Sequence, residues 1–462
     1  MVSETTTSAR PQRGDLLDLR IESLAYGGNG VARHDGGYVV FVQGGMPGDL
    51  VRARIGKRKR AYAEARVEEV LEPSPDRIAP VADHPGAPWQ VMPYAKQLEV
   101  KTQQVEDALR RIGHLDGFTL EEIVPAAEQW RYRNKLEYSF GTDRTDPDHP
   151  VLVCGFHAPG SWEDIVGVDD CMLASVAGNE ARDRVLAWCR EQGLDAYDRR
   201  TQVGFLRNLV VREGRRTGEL QVRLVTSPGA LDGESLAAAM TVDDQPIASL
   251  LWTVIETVGE TTQGGETHLL VGEPQIREEL SGLEFRISGE AFFQTNTEMA
   301  EQLYAIVAEY AELRGWERVY DLYSGIGTIG LSLAARSGEI WGLEIIEEAV
   351  EDAIANAALN HIDNVRFFAG DVRVSLRQLT EEAGRPDLLL IDPPRAGLSQ
   401  KVVRRIIEAN PKRIVYVSCN PTTLAPNAAQ LVEAGYKLGR VRPVDMFPQT
   451  PHIECVAVLD RV

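Results

Sequence analysis

The chain has only five cysteines, Cys154, Cys171, Cys189, Cys419 and Cys455, and no two of them form a C-x-x-C pair. Such scatter indicates neither a disulfide framework nor a zinc site. No apolar run reaches the roughly 20 residues needed to cross a bilayer. Residues Met1 to Gln12 are rich in Ser and Thr and lack the apolar core of a secretory signal. A disordered leader over 1–12 on a cytoplasmic protein is therefore expected. Basic excess is also missing: 49 Lys and Arg face 69 Asp and Glu, a net charge of −20, which excludes a wholly basic nucleic-acid coat. Neither an internal repeat nor a low-complexity tract is found. At 462 residues, 43% hydrophobic and 26% charged, the chain is an ordinary globular sequence with room for two or three domains.

Charge is nevertheless uneven. Arg52, Arg54, Lys57, Arg58, Lys59 and Arg60 crowd into one short stretch that ends in an aromatic, Tyr62. Local charge, not the global sum, decides where a polyanion docks, so this stretch is a candidate RNA contact, although most basic runs are only solvated hairpin loops. Around it, Leu16 to Ile21, Gly37 to Val42, Asp49 to Ile55 and Ala63 to Val70 read as short strands punctuated by glycine pairs. Several short strands in so small a unit suggest a closed barrel of the oligonucleotide-binding type over 13–74. Pro73, Pro75 and Pro80 mark a linker. A central α+β domain follows over 75–282, with a helix expected from Tyr94 to Ile112 and another from Ala174 to Gln192. Strands are expected at Lys135 to Phe140, Val151 to Phe156, Leu209 to Arg212, Leu220 to Thr226 and Ser249 to Val258.

From 283 to 462 strands and helices alternate, which predicts an α/β fold with a doubly wound parallel sheet of Rossmann type. Strands are expected at Arg318 to Tyr323, Glu339 to Glu344, Val365 to Ala369, Leu388 to Ile391, Arg413 to Ser418 and Cys455 to Leu459. The first of them runs into a glycine-rich turn, Asp321 to Gly330, where Gly325 and Gly327 let backbone approach a ligand at a helix N-terminus. The spacing Gly325-Ile-Gly327-Thr-Ile-Gly330 also satisfies a dinucleotide pattern. Against a pyrophosphate stand the acids. Asp321 opens the turn, Glu344 ends the next strand where it can bond a ribose diol, and Asp371 follows the third near an adenine amine. Asp392 enters the same edge. A cluster of carboxylates suits a cationic ligand, S-adenosylmethionine, better than a second anion.

Two further segments carry chemistry. Asp392-Pro393-Pro394 fixes a rigid loop, since proline restricts itself and the residue before it. Amine methyltransferases place an aromatic after such a loop; Arg395 stands there instead. Cys419 lies in Ser418-Cys419-Asn420-Pro421, among turn-forming neighbours that suit a strand-end loop better than a core. A pyrimidine C5 is a poor nucleophile, and a thiolate added at C6 makes it a good one. A base must then take the C5 proton, for which Glu454 is the candidate.

Phe292-Phe293-Gln294-Thr295-Asn296, the Asp321 turn, Asp392-Pro-Pro-Arg395, Ser418-Cys-Asn-Pro421 and His452-Ile-Glu454 together resemble the RNA uracil-C5 methyltransferase family of bacterial 23S ribosomal RNA and tRNA enzymes. The N-terminal barrel resembles a TRAM domain, and Tyr132-Arg-Asn-Lys135 resembles a segment of the family's central domain. The resemblance implies Cys419 as nucleophile and Glu454 as base. It implies Gln294, Tyr323, Gly325, Gly327, Thr328, Glu344, Asp371 and Asp392 around S-adenosylmethionine, and Arg133 and Lys135 toward RNA. A monomer is expected, with a ribosomal RNA preferred to tRNA as substrate by family analogy. The contrasting classes are a binding or assembly protein that has lost catalysis, and an amine methyltransferase. Many members of the family hold a [4Fe-4S] cluster on four cysteines. Here the matching stretch, Asp83 to Gln90, has no cysteine, and Cys171 is left alone, so neither cluster nor metal is expected.

Overall fold

The computed structural model describes residues 10–82, 84–241 and 247–462. Most of the leader expected over 1–12 lies outside them. Leu16–Leu24, Gly30–His34, Tyr38–Gln43, Leu50–Arg58 and Tyr62–Glu72 close into a five-stranded barrel, in the spatial order first, second, third, fifth, fourth. Alternation does this: Leu19 and Ile21, Val40 and Val42, Val51, Ala53 and Ile55, and Ala63 and Ala65 point inward at period two and fill the interior. The segment read as a linker is fastened rather than free. Buried Asp49 accepts from Ser74 N at 2.8 Å and pairs with Arg77 at 2.6 Å.

A seven-stranded sheet forms the centre, with Lys135–Asp143, Leu206–Glu213, Leu220–Thr226 and Ile247–Val254 among its strands and the helix Val176–Glu191 against it. The expected 283 boundary falls inside a hairpin, because Gln275–Leu280 pairs with Leu283–Ser288. Residues after Tyr94 also cross over. The helix Tyr94–Asp107 and its one-turn extension Ala108–Ile112 pack on the C-terminal domain, and Thr119–Leu120 adds an edge strand to that domain's sheet.

That sheet has eight strands in the order Val365–Ala369, Glu339–Glu344, Arg318–Leu322, Leu388–Ile391, Arg413–Ser418, Glu454–Arg461, Tyr436–Val444, Thr119–Leu120. Leu388 to Ile391 are all buried, as a parallel strand covered by helices on both faces requires. The covering helices are amphipathic. In Gln400–Ala409, Val402, Val403, Ile406 and Ala409 face inward, Ser399 caps the start through Val402 N, and left-handed Asn410 ends it. The doubly wound parallel sheet expected from the alternation holds for the five strands from Val365–Ala369 to Arg413–Ser418, and the last strand departs from it. Glu454–Arg461 runs antiparallel to Arg413–Ser418 and to Tyr436–Val444. No crossover helix separates Tyr436–Val444 from the last strand, only a short loop, and neighbouring strands so joined run in opposite directions.

Candidate active site

The reversed strand places the chemistry. In its register Ser418 opposes Cys455 and Val417 opposes Val456, so the next opposed positions are Cys419 and Glu454. Cys419 leaves the sheet just before a helix: Asn420 caps Pro421–Glu433 by accepting from Thr422 N at 3.0 Å, and Pro421 sits in its first turn. The Asn420 amide also donates to the Arg395 carbonyl at 3.0 Å, which ties the thiol's turn to the Asp392-Pro-Pro-Arg395 loop. Both loops and Glu454 line one cavity of about 1420 Å³ at the carboxyl edge of the sheet.

Gln294, Tyr323, Gly325, Glu344, Asp371 and Arg133 line the same cavity. Glu344 is held at its strand end by backbone donors: Ile345 N at 2.7 Å, Ile346 N at 3.0 Å and Gly325 N at 3.1 Å. Asp371 caps the helix Val372–Ala383 and pairs with Arg373, which holds its carboxyl below the usual range. Two expected contacts lie off the wall. The Thr328 hydroxyl meets Tyr304 at 2.8 Å, and left-handed Gly327 packs on Phe367, whose ring an added Cβ would approach to 2.8 Å. Gly325 brings the backbone to the cavity, and Gly327 makes the turn fit.

The electrostatics are those of a site short of positive charge. Asp321 is fully buried, and one of its oxygens accepts from Gly330 N at 3.1 Å while the other has no partner. Desolvation, then the charges of Asp392 and Glu344, push its carboxyl up to about 8. Asp392 is pushed up to about 7 by desolvation. Burial, then Asp392, raises Glu454 far above an ordinary glutamate. Burial together with Glu454 and Asp392 lifts the Cys419 thiol to about 12, while Arg395 pulls the other way. His452, desolvated and facing Arg395, Arg133 and Lys101, falls to about 4 and is neutral at physiological pH. These acids form a cradle for a cation, and the residues present therefore fit a sulfonium.

The central domain supplies another wall. Asn134 donates its side-chain amide to the Gln294 carbonyl and the Thr297 hydroxyl, both at 2.9 Å, so the Tyr132-to-Lys135 and Phe292-to-Asn296 segments are directly joined. Arg133 stands over the Phe447 ring at 5.6 Å. Lys135 departs from its expected RNA-facing position. It is tucked into the central sheet against Glu137 at 2.7 Å and is held below an ordinary lysine by burial. The basic stretch divides likewise. Arg52 pairs with Asp18 and Glu69, Arg54 with Glu68 and Lys57 with Glu64 across the barrel, all exposed. Among the described residues no ion pair engages Arg58, Lys59 or Arg60, which are exposed at the hairpin's end. Sequence reasoning missed Ile345 and Ile346, apolar side chains 60% and 54% exposed beside Glu344 in the cavity. Their signal was two isoleucines directly after a strand-ending acid.

Where four cysteines would hold a cluster, Cys171 Sγ lies 3.1 Å from His84 Nε2, and both are buried. The His84 ring packs on Phe156, with 5.3 Å between centroids. Asp83 lies outside the described residues. One thiol and one imidazole do not fit a four-thiolate cluster, and among the described residues no group of three or more His, Cys, Asp or Glu is arranged to hold a metal. Among those residues, too, no helix is long and apolar enough to cross a membrane.

Residues 94–462 match the family model for tRNA (Uracil-5-)-methyltransferase, and residues 10–67 match the TRAM domain. An uncharacterized RNA methyltransferase of Bacteroides thetaiotaomicron is 39% identical over 440 residues, covering 91% of this chain and 96% of the relative. Another from Halalkalibacterium halodurans is 36% identical, covering 97% of each. Among solved structures, the Pyrococcus abyssi tRNA (uracil-54, C5)-methyltransferase in complex with S-adenosyl-L-homocysteine superposes with a TM-score of 0.77 at 29% identity, covering 95% of this chain and 98% of that one. With a family model matched over most of its length and relatives this similar end to end, the chain belongs to the tRNA (uracil-5-)-methyltransferase family of RNA methyltransferases, and carries a TRAM barrel at its N-terminus.

Proposed function

We propose that this enzyme methylates C5 of an unpaired uridine in RNA, with 23S ribosomal RNA as the first substrate to test. The observation that carries this reading is that the register of the last strand pair, continued one step past Ser418 and Cys455, sets Cys419 opposite Glu454, both lining one cavity with Glu344 and Asp392. The methyl donor is S-adenosylmethionine, which when bound supplies an electrophilic methyl group. Gln294, Tyr323, Glu344 and Asp392 hold it, with Gly325 giving it room and Asp371, already bonded to Arg373, at the adenine end.

Cys419 loses its thiol proton to solvent and adds as the thiolate to C6 of the uracil, which makes C5 nucleophilic toward the methyl group. Glu454 then takes the C5 proton, and the electrons of that C–H bond restore the 5,6 double bond as the thiolate leaves. Glu454 acts in its ionised form, having given its own proton to solvent beforehand, and its raised affinity for protons then makes it a stronger base than an ordinary glutamate. Asp392 bonds the uracil edge or the donor from the adjoining loop. A base stacked in a helix hides C6, so the target uridine is flipped from a loop or bulge. Arg58, Lys59 and Arg60 grip phosphates outside the cavity.

A tRNA substrate is the second reading, favoured by the likeness to the Pyrococcus abyssi tRNA enzyme. Incubation with methyl-labelled S-adenosylmethionine and, separately, unmodified 23S ribosomal RNA or bulk tRNA tests both. 5-Methyluridine in the ribosomal digest alone supports the first reading, and in the tRNA digest alone the second. Label on an exocyclic nitrogen, or none in either RNA, overturns the uracil-C5 assignment.

A further inference from the structure

The TRAM barrel reaches the nucleophile directly. The turn between its first two strands, Ala25-Tyr26-Gly27-Gly28-Asn29, leaves the barrel and wedges into the C-terminal domain. Three independent contacts fix it there. The Gln104 amide, on the helix after the barrel, donates to the Ala25 carbonyl at 3.1 Å. Gly28, at φ +90°, sits so close to the loop before Glu454 that an added Cβ would lie 3.0 Å from Pro451 and 3.2 Å from Trp89 Nε1. The Tyr26 hydroxyl donates to the carbonyl of Cys419 at 3.0 Å.

Tyr26 also organises Arg395. The guanidinium lies over the Tyr26 ring, 5.8 Å from its centroid, with one nitrogen 3.5 Å from the Tyr26 hydroxyl and 3.3 Å from His452 Nδ1. His452 is neutral, so it accepts from Arg395 and leaves the cation's charge uncancelled. Tyr26 does not line the cavity; it is half-buried behind it. One phenol thus touches the backbone of the thiol-bearing residue and the face of a cation lining the same cavity.

We infer that Tyr26 is a positioning residue for the reaction: its hydroxyl orients Cys419 through the carbonyl, and its ring sets Arg395 beside the thiol. This rests on the uracil-C5 reading and adds that the barrel completes the active site rather than serving only to grip RNA. A phosphate-gripping barrel acts on RNA affinity, whereas a barrel that shapes the nucleophile acts on the bond-forming rate at saturating RNA.

Tyr26→Phe keeps the ring and removes the hydroxyl, and Tyr26→Ala removes both. The probe is 5-fluorouridine-substituted 23S ribosomal RNA and tRNA transcripts, whose C5 fluorine cannot be abstracted and so traps the Cys419 adduct. At saturating RNA, adduct formation slows by about fivefold in Tyr26→Phe and further in Tyr26→Ala, while the RNA Kd of Tyr26→Phe stays within about twofold. A wild-type adduct rate in both variants, or a loss confined to Kd, overturns the inference. Failure of the wild-type enzyme to form any adduct counts against the uracil-C5 reading alone. The inference is then decided without RNA, by iodoacetamide alkylation of Cys419 against pH; the other four cysteines are buried. The Tyr26→Ala profile moves to higher pH as Arg395 loses its seat, and coincident profiles overturn the inference.

Discussion

The barrel and the cavity handle charge in opposite ways. On the barrel, Arg52, Arg54 and Lys57 meet acids across neighbouring strands, with both partners of each pair open to water. At the cavity, Asp392 and Glu454 line a desolvated edge with Asp321 buried behind it, and among the described residues no ion pair engages Asp321 or Asp392. Exposed pairs are screened and contribute little to stability. Buried, unpaired carboxyls resist ionisation and wait for a cation. Function therefore follows where charge is held out of water, and a count of charged residues locates it poorly.

The largest expected effect is at the thiol. Cys419→Ala lowers 5-methyluridine formation by at least about 10⁴-fold and abolishes the covalent RNA adduct on denaturing gels. Glu454→Gln still methylates but cannot release, so turnover falls by about 10²-fold or more and a methylated protein–RNA adduct accumulates. Free product released by Glu454→Gln at the wild-type rate would assign the base elsewhere.

Next comes the cation test of the cavity. Asp392 holds its proton up to about pH 7, and a bound sulfonium favours the ionised form. Affinity for S-adenosylmethionine therefore rises about fivefold as pH increases from 6 to 7, by about a further twofold above 7, and then levels off. Asp392→Asn flattens the profile in calorimetric titrations, and uncharged S-adenosylhomocysteine shows a shallower slope than the sulfonium.

Asp321 sharpens the contrast through stability. Its folded carboxyl titrates near 8, and an unfolded aspartate near about 3.9. The folded state binds the extra proton, so this stabilising contribution is full below about pH 4 and is lost as pH rises to about 8. Asp321→Asn removes that dependence while keeping an oxygen for Gly330 N, raising Tm by a few degrees at pH 8 and little at pH 5. Breaking the Arg54–Glu68 pair with Arg54→Ala leaves Tm nearly unchanged at both pH values.

The smallest effect divides the basic stretch. Replacing Arg58, Lys59 and Arg60 with serine lowers the salt dependence of RNA binding by about two in log–log slope, without altering the rate at saturating RNA. Replacing Arg52, Arg54 and Lys57 changes the slope less, since barrel acids already occupy them. Equal slopes in the two triple variants would show that RNA displaces those acids.

Much of this molecule is legible in the sequence because its signals are local. Strands such as Glu339–Glu344, Leu388–Ile391 and Arg413–Ser418 fall where their apolar runs predict, and the barrel strands follow their alternation. The turn Asp321 to Gly330, the Asp392-Pro-Pro loop and the Cys419 turn are likewise local, set by glycine, proline and cap chemistry. The helices Thr297–Ala311, Val372–Ala383, Gln400–Ala409 and Pro421–Glu433, and the strand Tyr436–Val444, are elements that the structure adds to those expected from the pattern. Lys135 and Glu137 share one face of their strand at period two, but that this face is buried in the central sheet is decided by packing and not by the segment itself.

What the sequence determined by itself is the set of reactive groups: a thiol in a strand-end turn, a carboxyl near the C-terminus and a row of acids at one sheet edge. What only tertiary structure decided is that they meet. In an all-parallel sheet Glu454, at the start of its strand, would lie at the edge opposite Cys419, at the end of its own. The antiparallel turn of the last strand brings the two to face each other. A barrel turn nearly 400 residues away in sequence closes over the same carbonyl. Direction and long-range contact belong to pairing and packing, which no window of neighbouring residues encodes.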